Sequence, residues 1–374
     1  MIDINGVAEK SDKWGEAHTA ANLIFEKRNK SCEIVIILFE YCNFACTFCP
    51  QDHNSKQGMD YESIVSKADL ICEYINQNNF ASDFVIRLIG GEPFNDEIIV
   101  GSNLMKAYRE LADRVRAGAN LNGRRCDFIW ISNFSMIECR EDVLKFMEEQ
   151  KDDTQFVVSY DLKGRFNKKN LETFKENIEI FAPYIRNINS VITKQNIEAL
   201  LAGDEYYDYL YSRFDYSWDQ YIKGDSLNNY AIPLESQVLE FYKVLADKYP
   251  RVEYIVPFLR EPDISTTMHT LCSRGNGAAI DWDNKIIPEG CVGSHYLRKF
   301  KTPAFVGHNG PDNFIDNTLT SFLDKYNCHA CEYYQRCPMM CFSGIKAGNM
   351  IQDMDTCINK ELFKYVDSKR KSNG

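Results

Sequence analysis

The chain alternates between short apolar runs and longer segments in which apolar residues recur every three or four positions. Runs rich in β-branched residues are typical of buried strands, and the longer segments are typical of amphipathic helices. The pattern predicts six strands, at 33–40, 84–89, 127–132, 155–161, 185–193 and 214–221. It predicts helices at 16–27, 61–75, 104–115, 140–149, 171–181, 197–211, 234–249 and 358–368.

Strands that alternate with helices form a parallel sheet, so the fold class is α/β. Six such units suit a partial (β/α)6 TIM-like barrel better than a complete eightfold barrel. Residues 251–259 are predicted to be extended, and near Glu261 and Pro262 the composition changes toward Cys, Gly and Asn. We therefore expect an N-terminal helical extension at 1–32, a barrel at 33–262 and a cysteine-rich domain at 263–374.

Composition and charge disfavour membrane-spanning, secreted and nucleic-acid-binding proteins. The 374 residues are 44% hydrophobic and 26% charged, as in ordinary globular proteins. The longest apolar run, at 34–39, is too short to cross a bilayer, and residues 1–10 lack the apolar stretch of a signal peptide. The net charge of −11 disfavours binding to phosphate backbones. We expect a cytoplasmic protein with neither nucleic-acid nor membrane partners.

The chain contains 14 cysteines, which is unusual for a cytoplasmic protein. Such proteins rarely form disulfides, and a chain of this length does not need them to fold, so the cysteines are interpreted as metal ligands. Only six histidines are present, which favours zinc or iron-sulfur chemistry rich in thiolates. Four cysteines lie outside the arrays described next and are interpreted as buried inert thiols: Cys32, Cys72, Cys126 and Cys139.

The first array is a C-x3-C-x2-C loop directly after the first predicted strand. It consists of Cys42, Cys46 and Cys49, with Phe48 before the third cysteine. Three thiolates leave one iron of a [4Fe-4S] cluster open to another ligand. The alternative is a zinc site completed by a histidine such as His53.

The second strand ends in a G-G-E-P motif at residues 90–93. Its glycines allow the backbone to approach a ligand, Glu92 can accept from an ammonium group, and Pro93 can open the next helix. An ordinary strand-to-helix turn has a similar composition. Both motifs are expected at the carboxyl ends of neighbouring parallel strands, where barrel active sites assemble.

Together the two motifs resemble the radical S-adenosylmethionine (radical SAM) superfamily, whose members carry a C-x3-C-x-aromatic-C loop after the first barrel strand and a G-G-E-P motif. The resemblance implies that Cys42, Cys46 and Cys49 bind a cluster whose open iron takes the amino and carboxylate groups of SAM. It implies further SAM contacts at Gly90, Gly91, Glu92, Pro93, Asn133 and Ser159, with Ser159 facing the ribose. Ser132, Asn133 and Asp161 are equally good helix caps.

The second array has the spacing C-x2-C-x5-C-x3-C followed by one more cysteine. Alone it fits a double zinc site, but behind such a barrel it resembles the SPASM extension, which implies two auxiliary [4Fe-4S] clusters. One would be held by Cys328, Cys331, Cys337 and Cys357, and the other by Cys272, Cys291 and Cys341. The latter is one ligand short, so its fourth site is open or is filled by substrate, water, an unassigned cysteine, Asp281, Asp283 or His295.

The resemblance implies an enzyme that reductively cleaves SAM to a 5′-deoxyadenosyl radical and abstracts a hydrogen atom from a peptide or protein. The expected outcomes are oxidation, crosslinking, thioether formation or epimerisation, as in the maturation of ribosomal peptides (RiPPs). Sulfatase-maturing members carry an aspartate where this chain has Val292, so formylglycine formation is less expected. The cofactors would be SAM and three [4Fe-4S] clusters.

The expected partners are a reductant such as flavodoxin or ferredoxin and, because only 32 residues precede the first predicted strand, a separate leader-binding protein. Two other functions fit the residues. One is a SPASM-type dehydrogenase of a small molecule such as an aminoglycoside or sugar. The other is a non-catalytic iron-sulfur electron carrier, although simple electron transfer does not explain an open-site cluster beside a G-G-E-P motif.

Overall fold

A computed structural model of the protein describes residues 31–78, 81–220, 231–252, 255–259, 278–287, 327–334, 337 and 350–373. At its centre is a sheet in which six strands pair in parallel, each with the next along the chain. They are β1 (Ser31–Ile37), β2 (Asp83–Ile89), β3 (Arg125–Ser132), β4 (Thr154–Ser159), β5 (Ile185–Ile192) and β6 (Asp215–Gln220). This arrangement confirms the predicted α/β partial barrel.

Two further strands, which the sequence pattern did not predict, extend the sheet beyond β1. Strand β7 (Ala278–Ile280) pairs in parallel with β1, and β8 (Ile286–Ile287) pairs antiparallel with β7. Both are too short for a reliable sequence signal, since a strand of two or three residues shows no alternation. Their residues belong to the segment that we assigned to the cysteine-rich domain.

Helices follow the strands as the sequence predicted, except at four places, one of which is the unpredicted short helix α3. They are α1 (Tyr61–Val65), α2 (Lys67–Gln77), α3 (Asp96–Ile99), α4 (Leu104–Asn120), α5 (Arg140–Glu149), α6 (Lys168–Phe181), α7 (Lys194–Ala202), α8 (Glu205–Arg213), α9 (Glu235–Lys248), α10 (Val256–Leu259) and α11 (Ile358–Asn373). None of the described helices is both long enough and apolar enough to span a membrane.

The helix predicted at 61–75 is two helices, because Ser66 ends α1 and begins α2. The helix predicted at 197–211 is also divided, since Gly203 adopts a φ of 89° and the side chain of Asp204 then caps α8. The prediction of an extended 251–259 is wrong at α10, where Phe258 packs against Phe363 with ring centroids 4.8 Å apart. The helix predicted at 16–27 and the boundary at 262 lie outside the described residues.

Aromatic packing under the sheet anchors the turn that follows β2. Phe94 comes directly after the G-G-E-P motif and is fully buried. Its ring centroid lies 5.3 Å from that of Trp130, 5.4 Å from Phe156 and 5.9 Å from Tyr108. The hydroxyl of Tyr108 also donates to the carbonyl oxygen of Pro93 at 3.0 Å. Because burying such a ring contributes roughly 1.5 to 3 kcal/mol, this core holds the motif in place.

Candidate active site

The cysteine loop and the G-G-E-P turn lie side by side because the pairing of β1 with β2 continues beyond both strands. The amide of Leu38 donates to the carbonyl of Ile89 at 2.8 Å, and the amide of Gly91 donates to that of Phe39 at 2.9 Å. The amide of Glu92 then donates to the carbonyl of Tyr41, the residue before Cys42, at 3.0 Å. The two motifs therefore meet at the carboxyl edge of the sheet, as predicted.

Glycine is required at both positions of the motif by this close approach. A Cβ atom on Gly90 would lie 2.8 Å from the carbonyl oxygen of Phe39, and one on Gly91 would overlap that of Tyr41. The obstructing atoms belong to the backbone and cannot rotate away. The glycines thus have a structural role in bringing the cysteine loop against β2.

Glu92 is a buried carboxylate that ties β2 to β3. Its Oε1 accepts from the amide of Phe94 at 3.0 Å and the hydroxyl of Ser132 at 2.8 Å, and its Oε2 accepts from the amide of Asn133 at 2.5 Å. Burial raises the pKa of Glu92 to about 7, although these three donors oppose the shift. Glu92 is 1% exposed, so its described contacts are with buried groups of the protein, and these contacts hold the motif in position.

Pro93 does not open the next helix as we expected. The next helix is α3, which begins three residues later and is capped by the side chain of Asn95, whose Oδ1 accepts from the amide of Glu97 at 3.1 Å. An asparagine cap satisfies an otherwise unpaired amide, which proline cannot do. Pro93 instead lies in the turn, where its carbonyl is held by Tyr108.

Asn133 links the end of β3 to the cysteine loop. Its Nδ2 donates to Oδ1 of Asn43 at 3.1 Å and lies 3.9 Å from Sγ of Cys42, while its Oδ1 accepts from the amide of Ser135. Asn43 in turn donates to Oγ of Ser135 at 2.7 Å. Asn133 therefore lies beside a predicted cluster ligand instead of capping a described helix.

The three cysteines of the loop occupy an apolar environment. Cys46 is buried, Cys42 and Cys49 are half-buried, and the surrounding apolar side chains include Phe44, Phe48, Ala231 and Ile232. Burial raises the pKa of Cys42 and of Cys49 to about 12, and it also raises that of Cys46. Thiols in such a place ionise readily only if a cationic centre binds them.

The residues fit an iron-sulfur cluster better than a single metal ion. None of the described cysteines forms a disulfide, and the amide of Phe44 lies 3.4 Å from Sγ of Cys42, in the manner of hydrogen bonds to cluster sulfurs. No three described His, Cys, Asp or Glu side chains converge closely enough to chelate one ion, as the zinc alternative with His53 would require. A four-iron cluster binds each thiolate through a different iron and therefore spreads its ligands more widely.

Ser159 ends β4 and is half-buried, opposite Asn189 of β5. Asp161, which we also considered as a helix cap, instead lies fully buried in an ion pair with Arg165, at 2.7 Å between Oδ2 and Nε. Sequence reasoning missed Arg165, which lies over the ring of Phe48 inside the cysteine loop. The only signal for Arg165 in the sequence was its position shortly after Asp161, a carboxylate that follows a predicted strand.

Four cysteines of the second array come together in the described residues. Cys328 begins a short 3-10 turn (Cys328–Ala330), Cys331 and Cys337 follow it, and Cys357 directly precedes α11. All four line one cavity of about 320 Å³, and their mutual charge effects add to burial in raising the pKa of Cys328 to about 12. Amides at the start of α11, those of Asn359 and Lys360, oppose the burial that raises the pKa of Cys357. The structure thus brings together the set predicted to hold one auxiliary cluster.

The ligands predicted for the other auxiliary cluster are not described. Cys272, Cys291, Cys341 and His295 all lie outside the described residues. Asp281 forms the turn between β7 and β8, where its Oδ1 accepts from the amides of Asp283 and Lys285, both at 2.9 Å. Lys67, fully buried, donates to the carbonyls of Asp281 and Trp282. The described contacts of Asp281 are therefore those of a turn residue.

The four unassigned cysteines lie outside the groups of cysteines that the described residues bring together. Cys32, Cys126 and Cys139 are buried, and burial raises the pKa of Cys32 to about 11 and that of Cys126 to about 12. Cys72 is half-buried and packs close to Gly118. These positions fit the interpretation as inert thiols.

No family model matches the chain, and no curated protein sequence matches it. Several solved structures do match the chain. The structure of native anSMEcpe with bound AdoMet (SAM) has a TM-score of 0.61 at 16% identity, covering 91% of this chain and 97% of that chain. Native anSMEcpe with bound AdoMet and Cp18Cys peptide has a TM-score of 0.59 at 16% identity, covering 92% and 97%.

A weaker likeness is to SuiB of Streptococcus suis, with a TM-score of 0.49 at 15% identity, covering 93% of this chain and 83% of that chain. At such identities a likeness establishes the fold. The anSMEcpe match spans nearly the full length of both chains, so this chain shares the overall fold of that protein, in agreement with the fold class expected from the sequence.

Proposed function

We propose that this protein is a radical SAM enzyme that modifies a peptide or protein. The observation that carries the proposal is the contact between the two motifs, in which an apolar loop that contains three thiols is hydrogen-bonded, through Tyr41 and Asn133, to the G-G-E-P turn. A structural turn would not need to bring a cysteine loop so close that only glycine fits at two successive positions.

In this proposal Cys42, Cys46 and Cys49 hold a [4Fe-4S] cluster, which supplies the electron that cleaves SAM to a 5′-deoxyadenosyl radical. Gly90 and Gly91 present backbone groups to the amino group of SAM, and Glu92 and Pro93 maintain the shape of that turn. Asn133, which contacts the cysteine loop through Asn43, is proposed to contact SAM as well, and Ser159 is assigned to the ribose.

The auxiliary sites complete a set of three clusters. Cys328, Cys331, Cys337 and Cys357 are proposed to hold one auxiliary cluster, and their convergence on one cavity supports this. Cys272, Cys291 and Cys341 are proposed to hold the other, with an exchangeable or non-cysteine fourth ligand. The turn contacts of Asp281 make it a weaker candidate for that ligand than substrate, water or His295.

The substrate is proposed to be a peptide or protein, since a structure of the same fold contains both AdoMet and a peptide. Oxidation, crosslinking, thioether formation and epimerisation all begin with removal of a hydrogen atom and share this architecture. A flavodoxin or ferredoxin would deliver the electron, and a separate leader-binding protein would present the substrate.

The test is anaerobic reconstitution followed by incubation with SAM and dithionite. We expect about twelve irons, four for each of three [4Fe-4S] clusters, and formation of 5′-deoxyadenosine. Iron near four together with stoichiometric zinc would contradict the cluster assignment. Twelve irons without deoxyadenosine would support the electron-carrier alternative instead.

A further inference from the structure

The loop after β4 is packed onto the cysteine loop. Gly164 adopts a φ of 85°, and a Cβ atom on it would meet the ring of Phe48 at 3.4 Å and Oγ1 of Thr47 at 3.6 Å. The ring of Phe166 meets that of Phe44 edge to face, with centroids 5.8 Å apart. Thr47 and Phe48 lie between Cys46 and Cys49 in sequence. Phe48, which lies between two predicted cluster ligands and is buried, is therefore covered by residues 164–166.

Arg165 is the charged residue of this cover. Its guanidinium carbon lies 5.5 Å from the centroid of the Phe48 ring, and its side chain is 14% exposed. Its Nε donates to Oδ2 of Asp161 at 2.7 Å. The side chain is thus held at a defined place beside the cysteine loop, unlike a typical surface arginine.

Asp161 is itself anchored by two other elements. Its Oδ1 accepts from the amide of Val191, at the end of β5, at 2.8 Å, and from Nδ2 of Asn196, in α7, at 2.7 Å. Its side chain is completely buried. A carboxylate fixed by β5 and α7 therefore orients the arginine that follows it, which makes the position of the guanidinium a property of the fold.

The guanidinium of Arg165 lies close in the fold to the predicted cluster ligands. The ring that it covers belongs to Phe48, the residue directly before Cys49. Glu92, a buried carboxylate, lies on the other side of the cysteine loop, where it accepts from the amide of Asn133. Charges in such buried surroundings are weakly screened.

We propose that Arg165, positioned by Asp161 over Phe48, raises the reduction potential of the cluster held by Cys42, Cys46 and Cys49. The inference rests on the proposed function. Reduction adds one electron and therefore one negative charge to the cluster, and a fixed neighbouring cation stabilises the reduced state more than the oxidised state. The cation favours uptake of the electron that SAM cleavage consumes, in a site otherwise lined by negative groups.

The test is a redox titration followed by electron paramagnetic resonance, without SAM, on the anaerobically reconstituted protein. The signal of interest is the one that disappears in the Cys42, Cys46, Cys49 to Ala variant. We expect Arg165→Met to make one-electron reduction about tenfold less favourable, which corresponds to a midpoint about 59 mV more negative. Arg165→Lys keeps the charge and should retain most of the original midpoint.

The chain offers a matched control. Arg116 also pairs with an aspartate, Asp153, at 2.6 Å and lies over a phenylalanine, with 4.8 Å to the centroid of Phe128. Asp153 immediately precedes β4, so this pair lies at the amino end of the sheet, opposite the cysteine loop. Arg116→Met should leave the midpoint unchanged, although it removes the same kind of ion pair.

The variant Asp161→Asn distinguishes an electrostatic effect on the cluster from damage to the packing around it. It removes a negative charge near the cluster and should move the midpoint to more positive values, opposite to Arg165→Met. An unchanged midpoint in Arg165→Met with intact iron content would overturn this inference alone. Iron loss in Arg165→Met and Asp161→Asn alike, without opposite shifts, would show a purely structural role. If the unsubstituted protein lacks the Cys42-dependent signal, the proposed function fails together with the inference.

Discussion

The two groups of cysteines are built in different ways. The first loop grows out of the sheet, since hydrogen bonds of β1 with β2 continue to the residue before Cys42 and Asn133 reaches it from β3. The second group lies on a short 3-10 turn, on single residues beyond it and at the start of α11. Among its described contacts are the stacking of Tyr333 on Phe363, with centroids 4.9 Å apart, and the 3.4 Å approach of Asn359 to Cys337.

This difference indicates that the fold determines the shape of the first site, whereas a bound cluster stabilises the fold around the second site. The first loop has its form from backbone pairing and a buried core, so it should persist without a cluster. The second group has little regular structure among its described residues, and there a bound cluster contributes folding free energy directly. Removing cysteines from the first site should therefore affect chemistry, while removing them from the second should affect stability.

The largest expected effect is the loss of chemistry when Cys42, Cys46 and Cys49 are all replaced by Ala. About one third of the iron should be lost together with all cleavage of SAM, because the auxiliary ligands are separate. The barrel should melt near its original temperature. Cys126→Ala, at a buried thiol outside both arrays, is the control and should keep iron and cleavage. Cleavage that survives the triple replacement would refute the ligand assignment.

Next in size is the effect of Cys357→Ala. This change removes a ligand at the start of α11, so about four of twelve irons and the attachment of the helix should be lost. Hydrogen exchange should become faster in α11 while the amides of β1 to β4 remain protected. Equal exchange in α11 before and after the change would show that packing, and not the cluster, holds this helix.

A smaller effect is expected from Glu92→Gln. The carboxylate accepts from three donors, and an amide has only one oxygen with which to accept them, so the G-G-E-P turn should shift. A charge-assisted hydrogen bond contributes about 1.5 to 3 kcal/mol, so SAM affinity should fall about tenfold or more. Binding is measured by titration of the folded, iron-loaded variant, and an unchanged affinity would leave Glu92 no part in the SAM site.

The same variant tests the buried charge. Because the pKa of Glu92 in the folded protein is raised to about 7, its contribution to stability is complete below its unfolded pKa and is lost as the pH rises through about 7. Glu92→Gln has no such proton, so the difference in unfolding free energy between the two proteins should change between pH 4.5 and 7. A constant difference across this range would mean that the carboxylate titrates normally.

The smallest effect is expected from Ser159→Ala. Ser159 is half-buried at the end of β4, and the loss of one neutral hydrogen bond to a ribose hydroxyl costs roughly 0.5 to 1.5 kcal/mol. SAM affinity should fall a few-fold, with iron content and melting temperature unchanged. Ser217→Ala, on β6, which is separated from β4 by β5, is a suitable control. A loss as large as that of Glu92→Gln would indicate a role beyond the ribose.

The sequence alone determined the order of the six strand-helix units and the position of both motifs. Buried strands and amphipathic helices leave local patterns, and parallel topology then places the cysteine loop and the G-G-E-P turn at the same edge. The resemblance to the SPASM extension, based on the cysteine spacing, also implied that Cys328, Cys331, Cys337 and Cys357 form one group. The sequence pattern did not predict features that lack periodicity, namely the break at Ser66, the short helix α10 and the brief strands β7 and β8.

Only the tertiary structure decided which distant groups meet. Glu92 meets Ser132 and Asn133 because β2 and β3 are neighbours, and no spacing predicts that its carboxylate is buried there. The ion pair of Arg165 with Asp161 reaches the cysteine loop only because the segment after β4 folds over Phe48. Local patterns report which face of an element is apolar, whereas the field at a buried thiol depends on side chains that only chain folding brings together.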